Sequence, residues 1–91
     1  MNAYDIKVKN SSVKQSVNLW LNKLKEDMPE LENEALKADT YYTRKLLFKK
    51  IFSYIMIEKV KNEEYINRNS LNELVYNLFL CLTTLKNLKK Q

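Results

Sequence analysis

SLNELVYNLFLCLTTLKNL, residues 70–88, sets Leu71, Leu74, Leu78, Cys81, Leu85 and Leu88 at successive steps of three, four, three, four and three. An α-helix turns once every ~3.6 residues, so these six side chains fall on one seam. Val75, Phe79 and Leu82 widen the seam into a broad apolar face. A seam of about two and a half heptads is shorter than a dedicated coiled coil needs, so it reads as the core side of a bundle helix. Ser70-Leu71-Asn72-Glu73 matches the S/T-x-x-E/Q capping box and places the start of this helix at Ser70. Cys81 lies on the seam and reads as a small buried apolar residue rather than a reactive thiol.

Working upstream, the same periodicity recurs. Ser12-Val13-Lys14-Gln15 is another capping box. Val13, Val17, Trp20, Leu21, Leu24 and Met28 then draw one stripe, which predicts a helix over 12–27. Pro29 cannot continue that helix but suits the first turn of a new one, and Glu30 and Glu32 suit its positive end. A short second helix is expected over 29–38, turning Leu31, Ala35, Leu36 and Ala38 inward. Asp39 or Thr40 caps a third over 41–61, unless one bent helix crosses 29–60. The fold class expected is thus all-α, a small bundle of three or four helices around Trp20, Leu24, Leu47, Ile51, Ile55, Leu74, Leu78 and Leu85.

The third segment is unusual. Leu47, Phe48, Ile51, Phe52, Tyr54 and Ile55 share one face, and Lys45, Lys49 and Lys50 stand opposite. Further along, Met56, Ile57 and Val60 occupy the side where the lysines stood. A helix that is apolar all round asks to be buried all round. A small monomer has no second layer to do that, so a homodimer or another protein is expected to cover Leu46, Met56, Ile57 and Val60.

The first ten residues break the helical rhythm. Tyr4, Ile6 and Val8 alternate with Asp5, Lys7 and Lys9, the period of an extended strand. Residues 1–10 are therefore expected to form an extended N-terminal arm, and 11–91 a single helical domain. The arm has three outcomes: flexible, packed along the bundle, or paired with a strand of a second chain. Over roughly its first 28 residues the chain resembles a ribbon-helix-helix DNA binder, a short alternating strand followed by a helix. That resemblance implies a strand-paired dimer with Asp5, Lys7 and Lys9 turned into the major groove. The pattern departs where the second helix should begin. Glu26, Asp27, Glu30, Glu32 and Glu34 cluster there, and carboxylates facing phosphate oppose binding.

Composition excludes more than it assigns. The 91 residues hold no glycine, no histidine, one proline and one cysteine, with a net charge of +5. Glycine-rich phosphate loops, zinc sites built from Cys and His, and Ser-His-Asp or Cys-His nucleophile systems are out of reach. No cofactor, metal or small-molecule substrate is expected. No apolar run approaches the ~20 residues of a membrane span, and the N-terminus lacks the apolar core of a signal peptide. The expected location is the cytoplasm, that of the host if the gene is viral. Charge falls in blocks: residues 26–39 carry six acids and Lys37, and residues 40–61 carry six bases and Glu58. The blocks can neutralise each other inside a bundle, or leave Arg44, Lys45, Lys49 and Lys50 as a basic face, with Tyr41 and Tyr42 one turn away for stacking.

The function expected is a non-enzymatic, protein-binding regulator or stoichiometric inhibitor acting through a helical surface. Phages and plasmids encode proteins of this kind, and bacteriocin immunity proteins are similar in size and helical architecture. The alternative is a dimeric DNA-binding regulator using the basic face and the N-terminal strand, with Lys7 and Lys9 as contacts.

Overall fold

A computed structural model describes the backbone of residues 11–90 and the side chains of residues 14–84. Among the described residues four helices follow in order: α1 (Ser11–Asp27), α2 (Glu30–Lys37), α3 (Tyr41–Lys61) and α4 (Arg68–Lys90). Among the described residues there is no strand. Over the described residues the fold is an all-α bundle of four helices. The N-terminal arm with Lys7 and Lys9 and the side chains of Ser12, Leu85 and Leu88 lie outside the described residues; α1 already includes Ser11, so Ser12 stands within the helix and not at its cap.

The breaks between helices have local causes. Pro29 caps α2 with helical dihedrals but supplies no side-chain hydrogen bond. The question of one bent helix or two across 29–60 is settled at Ala38 and Thr40. Ala38 leaves helical geometry with ψ 76°, and Thr40 is extended with ψ 162°. Thr40 Oγ1 then accepts from the Thr43 N–H at 3.1 Å, while Thr43 Oγ1 accepts from the Thr40 N–H at 3.1 Å. That is a capping box with threonine in place of the usual Glu or Gln, and it satisfies two amide groups that helix geometry leaves over.

The expected start of α4 needs correction. The helix begins at Arg68, two residues before Ser70. Asn67 Oδ1 accepts from the Ser70 N–H at 3.0 Å, so Asn67 is the cap and Ser70 lies inside the first turn. Asparagine and serine are comparable caps, and the upstream one took the role.

One core joins all four helices. Val17, Trp20 and Leu24 of α1 meet Leu31 and Ala35 of α2, Leu47, Ile51, Tyr54 and Ile55 of α3, and the α4 seam. The seam residues Leu71, Leu74, Leu78 and Cys81 are buried, as are Val75, Phe79 and Leu82. Leu36, expected inward, is only half-buried. Helix α4 touches each of the other three and packs most extensively on α3. The acidic helix α2 lies between basic neighbours: Lys25 of α1 pairs with Glu32 at 3.6 Å, and Lys50 of α3 with Glu34 at 2.7 Å. Part of the block charge is therefore answered within the fold. No described helix is long and apolar enough to cross a membrane.

Candidate functional site

Helix α3 has almost no net amphipathic direction, because apolar residues occupy two opposite sides. One side is core, with Ile51 and Ile55 fully buried. On the other, Leu46 is 40% exposed, Ile57 59% and Val60 62%. Tyr42, Leu46, Lys49, Ser53, Ile57 and Val60 follow steps of four, three, four, four and three. They therefore form a straight stripe along the helix. Of the four residues expected at the contact, Leu46, Ile57 and Val60 lie on this stripe. Met56 shares that spacing, three residues after Ser53 and four before Val60, but it is half-buried and packs against the core.

Beside the stripe runs a shallow, mainly apolar groove of about 380 Å³, lined by Met28, Leu46, Lys49, Lys50, Ser53, Tyr54 and Ile57. Met28, from the α1–α2 corner, forms its far bank. Met28, Ser53 and Tyr54 were not singled out as site residues from sequence. The four-and-three spacing marks Ser53, whereas Met28 is brought in only by the packing of α1 and α2 on α3. Tyr54 holds the bank together. Its hydroxyl donates to Asp27 Oδ2 at 2.6 Å, and its ring meets Trp20 edge-on at 6.2 Å. Burial raises the Tyr54 phenol well above its ordinary pKa, helped by the bond to Asp27 and by the charges of Asp27, Glu58 and Glu26. The phenol therefore stays neutral and serves as a strut between α1 and α3.

The expected basic face divides. Lys50 is committed to Glu34, with both carboxylate oxygens within 2.9 Å. Arg44 stands 5.3 Å from the Phe79 ring, and Lys45 stands 5.9 Å from the Tyr41 ring. Lys49 is exposed and lines the groove. No described carboxylate lies within ion-pair distance of Arg44, Lys45 or Lys49. Tyr41 and Tyr42 are both exposed beside them.

A second cavity of about 410 Å³ opens at the other end of the bundle, among Ser16, Trp20, Lys59, Tyr65, Ser70, Glu73 and their neighbours. It is assembled from α1, the end of α3, the following loop and the start of α4. Trp20 is shielded there by the ammonium groups of Lys23 at 4.9 Å and Lys59 at 5.9 Å. Among the described residues, no three of Cys, Asp and Glu stand together as a metal-binding set.

No known protein family matches this chain, and no curated protein or solved structure matches it either.

Proposed function

We propose that this chain is a non-enzymatic binding protein, a regulator or inhibitor that acts by docking the α3 stripe against another protein. The observation that carries this reading is the wetness of Ile57 and Val60, about 60% exposed on a helix whose opposite face is already committed to the core. Full burial of such side chains is worth roughly 1.5–3 kcal/mol each, which an interface would supply and the free chain forgoes. The adjacent groove gives a partner side chain somewhere to enter.

Affinity purification from cells that make the protein tests the reading, with bound proteins compared among wild type, Ile57→Asp and Leu19→Asp. Leu19 is 57% exposed but lies on α1, away from the residues that line the groove, so it controls for general stickiness. The expected result is a protein retained by wild type and Leu19→Asp and lost with Ile57→Asp. Identical sets from all three would refute the docking role.

The second reading is nucleic-acid binding, favoured by the exposed Tyr41 and Tyr42 beside Arg44, Lys45 and Lys49. A duplex titration at two salt concentrations tests it. Binding through these cations weakens steeply with salt and drops on Lys45→Gln and Lys49→Gln.

A further inference from the structure

We infer that the α3 stripe takes an acidic amphipathic helix from another protein, rather than a second copy of this chain or a nucleic acid. The inference rests on the docking reading above and adds the chemistry of the partner. Three observations support it. The stripe is narrow and straight, and Leu46 to Val60 spans about 21 Å at 1.5 Å per residue, the length of roughly four helical turns. A ridge at four-and-three spacing beside a groove is the surface that a second helix packs onto.

Charge supplies the second. Lys50 and Lys61 already have Glu34 and Glu58 as partners at 2.7 and 3.7 Å. Lys49 lies on the stripe itself and Lys45 one turn before it, and no described carboxylate pairs with either. A second copy would bring the same unanswered cations to the contact, whereas carboxylates flanking a leucine seam would answer them.

The third observation separates protein from nucleic acid. Asp27, Glu26 and Glu58 lie close enough to act on the Tyr54 phenol, and Tyr54 lines the groove. A polyanion laid along the stripe would meet these acids and leave Leu46, Ile57 and Val60 facing phosphate. A helix can turn its apolar side onto them and keep its carboxylates toward Lys45 and Lys49.

The test uses two synthetic helical peptides of about 18 residues with the same leucine seam, one flanked by Glu and one by Lys. Binding to the full chain is followed by calorimetry and by amide chemical shifts. The Glu peptide is expected to bind about fivefold or more tightly than the Lys peptide. The double variant Lys45→Glu, Lys49→Glu should reverse that preference, while Lys37→Glu on α2 should leave it in place, separating local charge from the net +5 of the chain. Ile57→Asn, which removes the apolar surface without adding charge, should weaken both peptides about tenfold. If Ile57→Asn lowers binding but the two peptides bind alike, the docking face stands and the acidic partner is wrong. If Ile57→Asn has no effect, both fall. Sedimentation equilibrium closes the remaining route. A dimer at tens of micromolar that Ile57→Asp dissociates would give the face to a second copy and overturn the inference. A duplex that displaces the Glu peptide would do the same for nucleic acid.

Discussion

Tyr54 is the only buried tyrosine among the described residues, and its hydroxyl reaches the exposed carboxylate of Asp27 at 2.6 Å. Tyr54→Phe keeps the ring against Trp20 and removes the bond. Because Asp27 can be rehydrated, the loss should be modest, about 1 kcal/mol in urea unfolding followed by Trp20 fluorescence. The pH dependence carries a definite sign. The folded state holds the phenol neutral beyond the ordinary tyrosine value of 10.0, so the unfolded chain ionises first. The contribution of Tyr54 is therefore complete below pH 10 and is lost as pH rises above it. The gap in stability between wild type and Tyr54→Phe should be the same at about pH 8 and pH 9 and smaller at about pH 11, and equal gaps throughout would show that the phenol titrates normally in the fold. Lysines titrate in the same range in both proteins, which is why the difference is the quantity to read.

At the scale of the helix, a chain without glycine must end its helices by other means. After α3 the Glu63 N–H donates to Val60 O at 3.1 Å and the Glu64 N–H to Lys59 O at 2.9 Å. This is the Schellman pattern, and it puts Glu63 in the left-handed region with φ 56°. A Cβ there costs about 1 kcal/mol, which glycine avoids, so Glu63→Gly should raise the stability by up to that amount. A loss of stability would mean that the Glu63 side chain makes a contact worth more than the strain. The threonine box that starts α3 gives the opposite expectation. Thr40→Ala should cost about 1 kcal/mol, and adding Thr43→Ala should cost less than the sum of the two single changes, since each hydroxyl serves the other.

These element ends also show what a one-dimensional reading captures. Helix α3 spans 41–61 in both sequence and structure, because Leu47, Ile51 and Ile55 repeat strongly and Thr40 sits at their boundary. The start of α4 was misplaced because Ser70 satisfied a local motif that Asn67, three residues earlier, satisfied in fact. Glu63 gave no signal, since nothing in its neighbourhood asks for a left-handed residue. The stripe was legible as apolar residues where lysines had been, but the groove was not. Its banks come from residues as far apart as Met28 and Ile57, and Asp27 and Tyr54, which join those banks, are 27 positions apart. Met56 shares the stripe's spacing on the helical wheel, yet it is half-buried against the core, which the wheel alone does not show.

For the molecule as a whole, the decisive contrast lies between the two sides of α3. Ile51 is fully buried at the junction of the helices, and Ile57 is 59% exposed less than two turns later. If the fold alone determined this surface, both isoleucines would be needed for stability. The packing says otherwise. Ile51→Ala should cost about 2–5 kcal/mol, as expected for a truncation in a filled core. Ile57→Asp and Val60→Asn should each change stability by no more than about 0.5 kcal/mol, because both side chains are about 60% exposed and an uncharged residue in the last turn of α3 does not oppose the helix dipole. Urea midpoints for the three variants measure this directly. A large loss with Ile57→Asp would make the stripe part of the scaffold and overturn the proposed docking role. A negligible loss, with the chain still folded, leaves two branched apolar residues that the bundle does not use, beside a groove and two lysines that no described carboxylate pairs with, as the proposed docking role requires.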